Sequence, residues 1–374
     1  MSVDERYLVE TLRELVRVPS PPGGEEAVAR LVASKLRELG VDYEVDEYHN
    51  VIAWMGSGRP RLMINAHLDT VPPGDGWTID PFSGELIDGR VYGRGASDNK
   101  AGVASMLAIA KALRDHVGGQ LVLLFTSREE GGDKDEARRG LKDKVKVDAG
   151  ICLDYHIDSE SKVCEVVVGC RGIANVRVKV RGRAWHSSEP ERGVNAIYGA
   201  CELIRRVREA PLRALTSPIP VREDVSVTRI EGGEWATMIP DRCSLTINYR
   251  LLPDLDPDDA VRRVVELASG LDVEVELASG SRGYMVDPST PIARAAMDAA
   301  RSEGFKAEPT VARGWLDAAQ LSRLLSAPVI CIGTMTRGQA HVKDEYVKVS
   351  DLVSGARVAL KAVQLYMGVE GRPA

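Results

Sequence analysis

The stretch RLMINAHLDTVPP, residues 61–73, runs apolar up to Ala66 and then sets His67 and Asp69 two residues apart, ahead of two prolines. Residues i and i+2 of a strand point to the same side. His67 and Asp69 can therefore touch one another or share a third group. Three further runs have the same character: 120–126 (QLVLLFT), 148–153 (DAGICL) and 328–333 (PVICIG). Helical patterns lie between them, over 25–39 and most strongly over 99–114. There Val103, Met106, Leu107, Ile109, Ala110 and Leu113 build a wide apolar face. Continuous apolar runs separated by helices predict an α/β fold, a mostly parallel sheet flanked by helices.

The middle of the chain reads differently. Residues 173–181 (IANVRVKVR) alternate apolar and polar, as a half-exposed strand does. A helix over 194–208, strands near 224–230 and 243–250, a helix over 257–269 and a strand over 272–277 follow. This βαββαβ order suits a ferredoxin-like α+β arrangement, an antiparallel sheet with helices on one face. Glycine-containing joints, VVGCRGIAN (167–175) and ASGSRGYMV (278–286), flank it. Residues 174–281 are therefore expected to form a domain inserted into another built from 1–173 and 282–374.

A chain of 374 residues exceeds one compact core. Its 44% hydrophobic and 28% charged residues fit a globular protein, and its net charge of −6 argues against nucleic acid or an acidic membrane as partner. No apolar run approaches the roughly 18 residues of a membrane span. The first 15 residues read as an amphipathic helix, not a signal peptide, so a cytoplasmic location is expected. None of the six cysteines pairs as CxxC, which removes a zinc knuckle or thioredoxin-type site. A Cys164–Cys170 disulfide is not expected in a reducing compartment.

Ionisable residues follow the C-terminal end of each apolar run. His67 and Asp69 follow the first, Glu129 and Glu130 the second, and Asp154 the third. The fourth leads to His341 in GQAHVKDEYV, and Asp98, in GRGASDNKAG, opens the long helix. Open α/β sheets bind ligands at this end of their strands. Each residue has a plainer reading: a solvated acid pair at Glu129 and Glu130, a helix cap at Asp98, turn or surface positions at Asp154 and His341. Their common placement favours a binuclear metal site. Carboxylates with imidazole suit Zn²⁺, or Mn²⁺ and Co²⁺ less specifically.

The blocks HLDTVPPGDGW, DGRVYGRGASDNKAG, SREEGG, GRAWHSSEPERGVNAI and AHVKDEYV, in this order and spacing, resemble metallopeptidase family 20. That group includes acetylornithine deacetylase, succinyl-diaminopimelate desuccinylase, aminoacylase and carboxypeptidase G. The resemblance implies a zinc-exopeptidase-like catalytic domain, a lid and dimerisation domain, and two divalent ions per chain, zinc first, with cobalt or manganese as alternatives. By the same resemblance His67 and Asp154 hold one metal, Glu130 and His341 the other, and Asp98 bridges them. Glu129 is then the general base, with Gly131 and Gly132 turning the chain so that both glutamates reach the site. Asp69 would hold the second ring nitrogen of His67, Pro72 and Pro73 would stiffen the departing loop, and the Asp98–Asn99 peptide would be cis.

The resemblance further implies that His186 crosses a homodimer to stabilise the oxyanion and that Arg250 holds a substrate carboxylate. A plain strand-end role for Arg250 stays equally open. His49, His116 and His156 match nothing in the pattern and read as structural or exposed. Thr237 stands where many relatives carry an asparagine near the substrate. Trp315 and Leu316 replace a small polar pair, and Asp154 is often glutamate in the deacylases but aspartate in aminopeptidases and dipeptidases. The implied substrate is a small N-acyl amino acid; a dipeptidase, aminopeptidase or carboxypeptidase reaction is the alternative. A binding module without catalysis is the third reading, against which Glu129 argues, since holding metal needs no base.

Overall fold

The computed structural model describes residues 1–131 and 134–369. The chain divides into two compact units. One comprises residues 1–168, 286–310 and 320 onward; the other comprises 169–285 and 311–319. The second unit takes in the expected 174–281 and extends past it on both sides. Tyr284 and Met285 pair there with Cys170 and Gly169, and the Trp315 indole donates to the Arg282 carbonyl at 3.1 Å.

In the first unit the strands Gln120–Thr126, Arg61–His67, Ala149–Asp158 and Val329–Thr336 lie side by side in that order, all parallel. Val51–Gly56 adds an antiparallel neighbour to Gln120–Thr126, and Asp42–Val45 lies beyond it. Leu62, Met63, Ile64, Leu121, Leu123 and Ile330 are all fully buried. Both faces of the sheet are covered, which is why these runs do not alternate.

The helix Lys100–Leu113 departs from its amphipathic reading. It is buried around nearly its whole circumference, with the sheet on one side and the helices Glu5–Val16 and Val349–Met367 on the others. Its close approach needs Gly102. A Cβ there would stand 2.5 Å from the Leu153 carbonyl and 3.0 Å from the Ala66 side chain. Glycine thus lets the start of this helix sit against the strands that carry His67 and Asp154.

In the second unit the strands run Asp224–Gly232, Arg242–Leu251, Gly172–Arg181, Val273–Ser281, all antiparallel. The helices Ala196–Glu209 and Pro257–Leu267 bring Leu203, Val207 and Val264 onto Val176, Val178 and Ile247. Burial alternates along Gly172–Arg181 because its other face is open. All six cysteines are free and only Cys201 is exposed. Among the described residues no helix is long and apolar enough to cross a membrane.

Candidate metal centre

His67 ends its strand opposite Thr126 and is 3% exposed. Its Nδ1–H donates to the main-chain carbonyl of Asp69 at 2.9 Å, while the Asp69 carboxylate stays 3.6 Å away. The sequence expectation put the carboxylate on the ring. The strand stops at His67, so the same-side rule no longer governs Asp69. The buried Asp69 carboxylate instead accepts the backbone N–H of Glu129 at 2.9 Å and of Glu130 at 2.8 Å. Either way Nδ1 is a donor, which leaves Nε2 facing inward.

The turn that presents the two glutamates begins ahead of them. The strand ends at Thr126, and Arg128 takes a φ of +59°, so the chain has turned before the pair is reached. Gly132, expected to make the turn with Gly131, lies outside the described residues.

Asp98 stands between the two histidines. Its Oδ1 lies 3.1 Å from His67 Nε2 and its Oδ2 lies 3.4 Å from His341 Nε2. Glu130 Oε1 approaches the same Nε2 of His341, at 2.7 Å. On the His67 side, Asp154 Oδ1 is 3.8 Å from Nε2. Asp98 has no capping duty, because the cap position of the following helix is Asn99. The Asp98–Asn99 peptide is cis, and the Asn99 amide donates to Asp154 at 3.1 Å.

The sequence sets Asp154 just after an apolar run, but the strand continues through it to Asp158. The register that pairs Asn65 with Cys152 sets Asp154 level with His67 at the end of the neighbouring strand, two residues beyond the last pair, so both side chains reach the centre together. Glu129 is close to Lys134, whose Nζ donates to the Glu129 carbonyl at 2.8 Å and lies 3.7 Å from Oε1.

The acids and imidazoles of the cluster shift one another strongly. Burial raises the Asp154 carboxyl well above its ordinary range, and the charges of Asp98, Glu129 and Glu130 add to this against His67. Burial would raise Asp98 too, but its bonds to His341 and His67 prevail and hold it low. For His67 burial pulls downward, yet Asp69, Asp98 and Asp154 keep it well above the usual imidazole value. Bonds to Asp98 and Glu130 raise His341 to about 10. Acids crowded about two imidazoles leave a negative field that a cation relieves. His67, Asp98 and Glu130 each offer a ligand atom, all within 4.8 Å of one another. The donor set of carboxylate and imidazole fits a divalent ion.

The remaining expected residues lie in the second unit. His186, on the two-residue strand Trp185–His186, pairs with Met238 and is exposed, and its Nδ1 accepts from the Ser188 hydroxyl at 2.7 Å. Thr237 is its neighbour, accepting the Ser187 N–H at 2.9 Å. Arg250 sits at the other end of the sheet, opposite Asp224 and Ile173. Burial and then Arg171 lower its pKa. Of the histidines left aside, His156 meets Glu165 at 2.5 Å. Sequence reasoning missed Glu345, which is fully buried. An acid between Asp344 and Tyr346 has no periodic signal to separate it from a solvated one.

The chain is 32% identical to a succinyl-diaminopimelate desuccinylase of Methylorubrum extorquens over 364 residues, covering 90% of this chain and 93% of that one. Its fold matches an aminopeptidase PepT of Bacillus cereus with a TM-score of 0.80 at 23% identity, covering 97% and 99% of the two chains. It also matches a dinuclear metal binding peptidase of Bacillus subtilis with a TM-score of 0.76 at 16% identity, covering 98% and 99%. Residues 63–365 match the sequence description of Peptidase family M20/M25/M40, a span that opens inside the strand bearing His67 and takes in all five residues gathered around Asp98. The chain belongs to this family and is a metallohydrolase of amide or peptide bonds.

Proposed function

We propose that this protein is a deacylase that hydrolyses the amide of a small N-acyl amino acid, using two divalent ions per chain, zinc first. The observation that carries the dinuclear reading is Asp98, with one oxygen toward His67 and the other toward His341. His67 and Asp154 would hold one ion, Glu130 and His341 the other, with Asp98 shared. When bound, such ions lower the pKa of water toward neutrality and polarise the scissile carbonyl.

The chain's own groups supply the rest. Glu129 takes a proton from the attacking water and hands it to the nitrogen as the carbon–nitrogen bond breaks. Asp69 holds the main chain of both glutamates, which makes it a positioning residue. His186 donates to the oxyanion. Arg250 holds the substrate carboxylate, a task for which a guanidinium fork is suited.

Their placement supports a homodimer through the second unit. His186 lies beyond the Arg181 and Arg242 end of the sheet, and Arg250 lies at the other end. From Arg242 to Arg250 is roughly 27 Å of extended chain at ~3.4 Å per residue. A small substrate cannot meet both from one chain, so His186 would serve the partner's site.

The acyl preference rests on likeness to the desuccinylase and on positive charge near Arg250. Arg171, Arg222 and Arg313 line a cleft of about 390 Å³ with Asp224, which stands opposite Arg250. That environment suits an acyl group with its own carboxylate. The peptidase alternative keeps the same centre. The deciding measurement is kcat/KM for N-succinyl and N-acetyl amino acids beside unblocked dipeptides, on protein stripped by chelator and reloaded with Zn²⁺, Co²⁺ or Mn²⁺. A tenfold advantage for dipeptides, about 1.4 kcal/mol in the transition state, overturns the deacylase reading.

A further inference from the structure

Glu345 stands four residues past His341, and its carboxylate is wholly buried. Its Oε1 accepts the backbone N–H of Ser97 and of Asp98, both at 2.9 Å. Its Oε2 accepts the Gly95 N–H at 3.1 Å and the Arg94 guanidinium at 2.6 Å. The Gly93 N–H donates to the Glu345 carbonyl at 2.9 Å, and Tyr346 pairs with Tyr92. The segment that delivers Asp98 is thus folded around one side chain. Asp344, next door, serves a different loop, accepting the N–H of Thr78 at 2.8 Å and of Ile79 at 3.2 Å.

We propose that Glu345 is a positioning residue for the metal centre. It fixes the main chain at Asp98 so that one carboxylate oxygen turns to each histidine, and it ties that orientation to the segment bearing His341. The proposal rests on the metal-site reading above. The physical basis is the number of acceptors. A carboxylate satisfies four buried donors here. A glutamine keeps one acceptor oxygen and would set its NH₂ against two of them. A buried N–H without a partner is costly, so the main chain must shift to find one. Asp98 is on that main chain. Because Glu345 makes no contact with His67 or Asp154, the shift would disturb the shared ligand first.

A general bracing role predicts something else: lost stability with an unchanged centre. The test compares metal-free wild type, Glu345→Gln, Glu345→Asp and Asp344→Asn. Each is titrated with Zn²⁺ by calorimetry and with Co²⁺ by visible absorption, and folding is followed by circular dichroism and thermal melting. Loss of an outer partner of a metal ligand typically weakens binding roughly 10–100-fold. Folded Glu345→Gln should show that loss with an altered Co²⁺ spectrum, while Asp344→Asn stays within about twofold of wild type. A folded Glu345→Gln with wild-type affinity and spectrum overturns the proposal. So does an equal loss in Asp344→Asn, which would assign the effect to the whole segment. If Glu345→Gln does not fold, Glu345→Asp decides. It keeps the charge against Arg94 but falls one methylene short of the Asp98 N–H. Weakened metal binding in that folded variant supports the role and wild-type binding overturns it. A wild type that takes up no divalent ion removes the metal centre itself, a result distinct from equal binding by wild type and variant.

Discussion

The carboxylate of Asp69 holds the main chain of Glu130 rather than the ring of His67: its oxygen is 2.8 Å from the Glu130 N–H, while the nearest approach to His67 Nδ1 is 3.6 Å. The ring is held by the Asp69 carbonyl instead. One residue thereby joins the end of one strand to the turn after its neighbour, through different atoms.

This division has a consequence for Asp69→Asn. The carbonyl that orients His67 survives, while one oxygen of the carboxylate becomes an NH₂ facing either the Glu129 or the Glu130 amide. Turnover should fall roughly 10–100-fold, and affinity for the first equivalent of Zn²⁺ should fall much less. Parallel measurement of kcat and metal affinity checks it. A fall in affinity as large as that in kcat would mean that the carboxylate acts on the ring after all.

Replacing Glu129 by glutamine removes a proton acceptor and keeps the shape. The variant should fold, retain its metal by elemental analysis and lose about 10²–10⁴ in kcat. Near-normal turnover with full metal content would take the general-base role away from Glu129.

His341 makes metal binding pH-dependent. In the metal-free protein its bonds to Asp98 and Glu130 outweigh partial burial and raise it to about 10. In the unfolded chain it titrates near 6.5, at about the usual imidazole value. The folded value is the higher one, so this pairing contributes stability in full below pH about 6.5 and loses it as pH rises through about 10. A metal needs the neutral ring and must displace that proton. Zn²⁺ affinity should therefore rise between pH 7 and 9, with proton release measurable by calorimetry in buffers of differing ionisation enthalpy. His341→Gln should release fewer protons; an unchanged count would show that His341 is not the group displaced.

Action of His186 across a dimer can be tested by subunit exchange. Glu129→Gln and His186→Ala chains, each inactive alone, should regain activity when mixed, because one site of each heterodimer has both groups. Absence of recovery after exchange verified by mass spectrometry would place His186 outside the partner's site.

Local pattern determined much of this protein. Short uninterrupted apolar runs such as 120–126 fit strands covered on both faces, and the alternation in 173–181 fits a sheet with one face open. The order of those runs, with helices between them, specifies both sheets. Because parallel strands share one C-terminal end, it also brings His67, Asp98, Glu130, Asp154 and His341 together. Tertiary structure decided which atom of each polar residue faces which partner. Asp69 left the strand geometry one residue after His67 and turned its carboxylate to the amides of Glu129 and Glu130. Arg128 took the left-handed conformation at the turn that presents them. The burial of Lys100–Leu113 on nearly all sides came from neighbours far away in sequence, the helices Glu5–Val16 and Val349–Met367. Glu345 found its donors some 250 residues upstream. Side-chain periodicity reports which face is covered; hydrogen bonds between distant segments form only once packing has brought their donors and acceptors within 3 Å or so, and no local pattern encodes that meeting.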